Sequence, residues 1–258
     1  MTTRTKWFAV PRRVPRPALR LFCFPFAGGG SRAFQAWPDH LPRDVELWVA
    51  QLPGREGRFK EQAYTRLPDL ITDLVAAIAP HTDVPHAMFG HSMGALVAFT
   101  LTRELRRAGM RGPELLMVSG RRAPQRPDTD PPIHALPEKE FLEEIRELNG
   151  TPEAILRNEE LLQLLIPLLR ADFAVCETYE YVSEAPLACP IVAFGGADDP
   201  DVSHEDLAAW SEQTTSSSSH QIFPGDHFYL LDGIAPLLKE VSRYLDRIPA
   251  IGRTTTYQ

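Results

Sequence analysis

A serine, a carboxylate and a histidine occur in this chain in an order and setting that suit nucleophilic catalysis. Gly90-His91-Ser92-Met93-Gly94 follows the apolar run Ala87-Met88-Phe89 and opens the helix-compatible run Ala95-Leu96-Val97-Ala98-Phe99. A strand, a Gly-x-Ser-x-Gly turn and a helix in that order predict a nucleophile elbow. Such a turn projects the serine hydroxyl from the top of a sheet, and the flanking glycines let backbone pass where a Cβ would clash. The helix behind it aims unpaired N–H groups at charge developing on a substrate oxygen. Ser92 is the candidate nucleophile.

The serine needs a base, and the base needs an orienting carboxylate. Both follow downstream. Pro190-Ile191-Val192-Ala193-Phe194 reads as a buried strand ending in the loop Gly195-Gly196-Ala197-Asp198-Asp199-Pro200. The strand-like run Gln221-Ile222-Phe223 precedes Pro224-Gly225-Asp226-His227-Phe228. The order Ser92, Asp199, His227 is that of the α/β-hydrolases, each candidate standing just after a predicted strand. Asp198, Asp199 and Asp201 compete for the acid. A Gly-x-x-Asp register counted from Gly196 gives Asp199, which is favoured; counted from Gly195 it gives Asp198, the alternative acid. Asp226 is a poor candidate beside the histidine. His40, His81, His86, His134, His204 and His220 lie in polar or loop-like settings and read as surface residues, and the ring of His91 suits packing support as well as chemistry. No pair of histidines or cysteines has metal-ligand spacing, so no metal site is expected.

The strand-like run Leu19-Arg20-Leu21-Phe22-Cys23 leads into Phe24-Pro25-Phe26-Ala27-Gly28-Gly29-Gly30-Ser31. This glycine-rich loop has neither the Gly-Lys-Ser/Thr ending of a P-loop nor the Gly-x-Gly-x-x-Gly spacing of a dinucleotide site. In a serine hydrolase it is where the second oxyanion donor belongs. The expected donors are the backbone N–H groups of Ala27 and Met93.

Four stretches together resemble the type II thioesterases, free-standing editing enzymes of polyketide and non-ribosomal peptide synthesis. They are Phe24-Pro25-Phe26-Ala27-Gly28-Gly29, Leu52-Pro53-Gly54-Arg55-Glu56-Gly57-Arg58, Gly90-His91-Ser92-Met93-Gly94-Ala95 and Gly225-Asp226-His227-Phe228. The similarity spans roughly residues 7–245, and the Pro-Gly-Arg segment discriminates best because a generic esterase has no need of it. The resemblance implies hydrolysis of stalled or aberrant acyl groups from the phosphopantetheine arm of an acyl or peptidyl carrier protein, through an acyl-enzyme and without a cofactor. It carries the same triad and oxyanion donors onto this chain. Medium-chain fatty-acyl thioesterases share these motifs, and a general carboxylesterase shares the triad. A fused, macrocyclising thioesterase is disfavoured by the initiator Met1 and the short arm after it. A hydrolase-fold binding protein without catalysis would be expected to lack the serine or the histidine.

Composition agrees. A chain of 258 residues, 43% hydrophobic and 24% charged, is ordinary for one globular domain spanning 1–258. Cys23, Cys176 and Cys189 are too few and scattered for a disulfide framework, suit a reducing cytoplasm, and read as buried small hydrophobes. No apolar run approaches the length of a membrane span, and a monomer is expected. The net charge of −7 is uneven, because residues 1–38 hold seven basic residues and no acid. A solvated basic arm explains this, as does a patch that attracts an acidic carrier protein. Nucleic-acid binding is disfavoured by the acidic remainder.

To carry these groups the chain must alternate strands and helices into a mostly parallel central sheet flanked by helices. Strands are predicted at 19–24, 45–50, 86–90, 114–119, 190–195 and 220–223, and helices near 31–37, 66–79, 93–108, 204–213 and 233–246. The serine run 216–219 reads as a loop. Residues 121–188 break the alternation: a proline-rich loop leads into helices with no strand between. This segment is a candidate helical lid insertion, the alternative being helices that their leucines simply glue to the core. Leu161, Leu162, Leu164, Leu165, Ile166, Leu168 and Leu169 cover nearly every side of one helix, so its burial is expected, with a kink or break at Pro167. Arg55 and Arg58 have the chemistry to contact pantetheine phosphate, although pairing with Glu56 and Glu61 is favoured.

Overall fold

The computed structural model describes residues 5–127, 130–148, 150, 157–231 and 233–249. Short runs of Leu, Val, Ile, Phe and Ala, apolar at consecutive positions, suit strands covered on both faces. The described strands are β1 (Phe8–Ala9), β2 (Leu19–Phe24), β3 (Val45–Ala50), β4 (His86–His91), β5 (Leu115–Ser119), β6 (Ile191–Gly196) and β7 (Ser218–Phe223). They form a seven-stranded sheet in the order β1-β3-β2-β4-β5-β6-β7. Only β1 runs antiparallel to its neighbour. The parallel strands therefore end at one edge, where open α/β sheets hold their ligands. Phe24 lies beside Gly90 and His91 beside Ser119 along that edge.

Successive side chains leave a strand on opposite faces. Phe22, Trp48 and Met88 join the core under helices α1 (Leu67–Ile78) and α2 (Met93–Arg107), whereas Leu21, Leu47 and Phe89 face α6 (Ala235–Leu245). Leu67, Leu70, Ile71, Leu74 and Ile78 form the buried stripe of α1, with Pro68 in its first turn. Between β5 and β6 stand α3 (Glu138–Glu147) and α4 (Glu159–Glu177), and between β6 and β7 the short α5 (His204–Ala208). Ile133, Phe141, Ile145, Leu162, Ile166 and Leu169 make a separate cluster within the insertion. The Arg170 guanidinium lies 4.3 Å from the Phe141 ring centre.

Several expectations change. The predicted helix near 31–37 is two 3₁₀ turns, Ser31–Phe34 and Trp37–Asp39, and the one near 204–213 becomes α5 followed by a 3₁₀ turn over Ala209–Gln213. Helix α4 continues through Pro167, because losing one backbone donor does not outweigh the packing of Leu162, Ile166, Leu168 and Leu169. Leu161 and Leu164, by contrast, are exposed. His86 opens a central strand and is fully buried, and His81 and His134 are half-buried. Cys23 is buried, the other two cysteines only partly. The N-terminal arm is not simply solvated: β1 pairs with β3, and buried Glu46 accepts the Val14 N–H and faces Arg13 and Arg20. Ser218 and Ser219 belong to β7 rather than to a loop. Among the described residues no helix is long and apolar enough to cross a membrane.

Candidate active site

Ser92 stands between β4 and α2 with φ 53° and ψ −116°. A non-glycine residue in that region costs on the order of 1–3 kcal/mol and needs surroundings that enforce it. The neighbours do so. A Cβ on Gly90 would lie 2.0 Å from the Gly94 carbonyl oxygen, and one on Gly94 would lie 2.0 Å from that of Phe24. The Ser92 N–H donates to the Ser119 carbonyl at 2.8 Å, tying the turn to the next strand. Met93 is the first residue of α2, so its N–H belongs to the first-turn donors that have no partner within the helix.

His227 and Asp199 come from the loops after β7 and β6. His227 Nδ1 is 2.8 Å from Asp199 Oδ2, and the other carboxylate oxygen accepts the Asp201 N–H at 3.0 Å. The Asp199 side chain is fully buried while His227 keeps 17% of its surface. Asp198 differs from its neighbour. Its side chain is exposed, and its N–H donates to the Gly225 carbonyl at 2.9 Å. Asp226 accepts the Phe228 N–H and so shapes the turn that presents His227. Burial beside the Asp199 charge raises the pKa of Asp201. Asp199, Asp201 and His227 lie close enough together to suggest a cation site. The 2.8 Å approach of Asp199 to His227 is shorter than the about 3.3 Å that separates two ligands of a tetrahedral zinc ion, so this pair has hydrogen-bond geometry.

Among the described residues no hydrogen bond joins the Ser92 hydroxyl to His227; in ligand-free sites such contacts are often long and tighten with substrate. The two are linked through His91, whose ring centre is 5.0 Å from that of His227. His91 Nδ1 is 2.8 Å from Ser119 Oγ, itself 2.5 Å from the Tyr229 hydroxyl. Burial, reinforced by His227, holds the His91 pKa well below the usual histidine value. It is a neutral packing element with Phe26 and Phe228 against it.

The loop after β2 carries Ala27. Its Gly29 N–H closes a turn onto the Phe26 carbonyl at 2.9 Å. Two carboxylates hold it: Asp172, which the motif reading did not include, and Glu56, which it included in another role. Asp172 of α4 accepts the Gly28 N–H at 2.7 Å, and Glu56 accepts the Ser31 N–H and hydroxyl and the Arg32 N–H. Arg55 pairs with Asp172 instead of Glu56, and Arg58 pairs with Glu61 as expected. Both arginines are buried, which leaves them poorly placed for pantetheine phosphate. An acid amid the leucines of α4 was the available signal for Asp172, since buried carboxylates are almost always paired. The insertion reaches the site a second time at Gly150, where a Cβ would lie 2.4 Å from Phe228 Cζ.

A serine on a strained strand-to-helix turn, a His–Asp pair on later strand loops and a mostly parallel sheet define an α/β-hydrolase. The thioesterase domain family matches residues 19–245. The gramicidin S biosynthesis protein GrsT of Aneurinibacillus migulanus is 42% identical over 240 residues, covering 93% of this chain and 94% of its own. The type II thioesterase BorB from the borrelidin biosynthetic cluster superposes with a TM-score of 0.84 at 36% identity, over 93% of this chain and 97% of BorB. ClbQ from the colibactin NRPS/PKS pathway gives 0.85 at 32% identity, over 89% and 98%. The chain belongs to the thioesterase family, as a type II thioesterase, a serine hydrolase acting on thioesters.

Proposed function

We propose that this chain removes stalled or aberrant acyl groups from the phosphopantetheine arm of a carrier protein in non-ribosomal peptide or polyketide synthesis, through an acyl-enzyme. In the first half-reaction Ser92 Oγ attacks the thioester carbonyl as His227 takes its proton, with Asp199 holding the imidazole tautomer. The oxyanion is received by the Ala27 and Met93 N–H groups. Collapse breaks the C–S bond, and the pantetheine thiolate leaves with the proton from His227. Water, deprotonated by His227, then attacks the acyl-serine; Ser92 recovers its proton and the free acid departs. No step calls on a metal or organic cofactor. The helical insertion 121–188 serves as a lid over the acyl group, which its approaches to Phe228 and Gly28 support.

The observation that carries the reading is the buried Asp199 carboxylate 2.8 Å from His227 Nδ1, on the strand edge that also bears Ser92. The kinship with biosynthetic thioesterases supports the carrier-bound substrate. The test is hydrolysis of a short acyl group on holo carrier protein by the wild type and by Ser92→Ala. Robust turnover lost in the variant is expected. Hydrolysis of simple oxoesters with no action on the carrier-bound thioester would overturn the editing role.

A further inference from the structure

The Arg55–Asp172 pair is almost wholly buried, its side chains 5% and 4% exposed, and it joins three separate segments. Arg55 Nη2 donates to Asp172 Oδ1 at 2.7 Å and Nη1 to Oδ2 at 2.9 Å, the two-pronged geometry at which arginine excels. Nη1 also donates to the Gly29 carbonyl at 2.8 Å, while Asp172 Oδ2 accepts the Gly28 N–H at 2.7 Å. The pair therefore grips the loop after β2 by one N–H and one carbonyl on consecutive residues. With Gly29 N–H already bound to Phe26, the peptides beside Ala27 have their orientations fixed from both sides.

Helix α4 adds steric contacts from the same face. Leu168 and Leu169 lie four and three residues before Asp172, so both flank it on one stripe of the helix. A Cβ on Gly28 would be 2.6 Å from Leu169 Cδ2, and one on Gly54 3.2 Å from Leu168 Cδ1. Both glycines have positive φ, 74° and 83°, so the loops are shaped to admit the helix at close range.

Resting on the proposed mechanism, we infer that Arg55 and Asp172 are positioning residues that aim the Ala27 N–H at the oxyanion and make its aim depend on the seating of α4. The carboxylate withdraws the Gly28 N–H from the site and turns the Ala27 peptide by its neighbour. Neither side chain touches substrate. Displacement of α4 would release the loop, so that transition-state stabilisation is available only with the helix in place.

The test uses Asp172→Asn and Arg55→Lys, with kcat and KM for an acyl thioester and inhibition by an alkyl boronic acid, whose tetrahedral Ser92 adduct places an oxyanion on the same donors. Asp172→Asn is expected to lower kcat about a hundredfold and weaken boronate inhibition in proportion, with KM changed less than about threefold. Arg55→Lys, which keeps the charge and loses the fork, should move the same two readouts in the same direction. A lower melting temperature with kcat and boronate affinity kept within about threefold would overturn the inference, since a merely structural pair behaves so. Should Asp172→Asn fail to fold, the double replacement Arg55→Met/Asp172→Leu leaves neither charge unpaired. Retained kcat in that folded protein also overturns the inference, and loss of kcat supports it. Wild type and Ser92→Ala run in parallel. Thioester turnover that persists without Ser92 removes the mechanism itself, a failure distinct from that of the clamp.

Discussion

Ser92 and Glu56 are the only non-glycine residues with positive φ among the described residues, and each sits where a backbone turn aims a polar group. The strain at Ser92 is enforced by backbone against backbone, so the flanking glycines tolerate no side chain. Gly94→Ala must push Phe24 and α2 apart, and a loss of more than about 3 kcal/mol is expected in denaturant titrations, with activity falling as the elbow opens. The acid is tested by paired substitutions. Asp199→Asn should reduce kcat by about 10⁴, as expected when a catalytic imidazole loses its orienting carboxylate. Asp198→Asn, at an exposed side chain, should stay within about twofold, near the ±0.5 kcal/mol typical of surface changes. A reversed pair of results would return the acid to Asp198.

At the scale of elements, the parts read correctly in the sequence are those whose signal is local. The β4–α2 unit carries its whole instruction in Gly90 to Phe99, and the strands ending at Phe24, Gly196 and Phe223 are marked by apolar runs cut by glycine or proline. What escaped depends on partners distant in the chain. Asp172 is an unremarkable acid until Arg55, 117 positions away, is brought beside it. His86 looks polar until β2 and β5 enclose its strand. The leucines of α4 promised burial all round, yet Leu161 and Leu164 are exposed while Leu162, Ile166, Leu168 and Leu169 are buried. The separate cluster in the insertion implies partly independent stability. Phe141→Ala, at a fully buried ring, should cost about 3–5 kcal/mol within that cluster. Amide hydrogen exchange should then rise across 138–147 and 159–177 before it rises in the sheet, and uniform loss of protection would show the two to be one unit.

For the molecule as a whole, buried neutral histidines make the fold sensitive to acid. Burial in β4, aided by the Arg111 charge, lowers the pKa of His86 to about 4, and His91 is lowered as well. Both bind protons more readily when unfolded. The stability each contributes is full above about pH 6.5, and the His86 share, about 3 kcal/mol at most, is lost as pH falls towards 4. His86→Leu should flatten the decline of melting temperature between pH 6.5 and 4.5, His91 retaining part of the slope; an unchanged slope would remove His86 from the account. The ends of the sheet matter at the same scale. At one side β1 has two residues, and at the other β7 offers Ser218, Ser219 and His220 as exposed positions. An open strand recruits other chains most readily when it is long, flat and greasy. The serine run thus gives the exposed edge at β7 little apolar surface with which to recruit another strand. Ser218→Val with Ser219→Val would favour the strand itself yet give its open edge the apolar character that invites pairing with other chains.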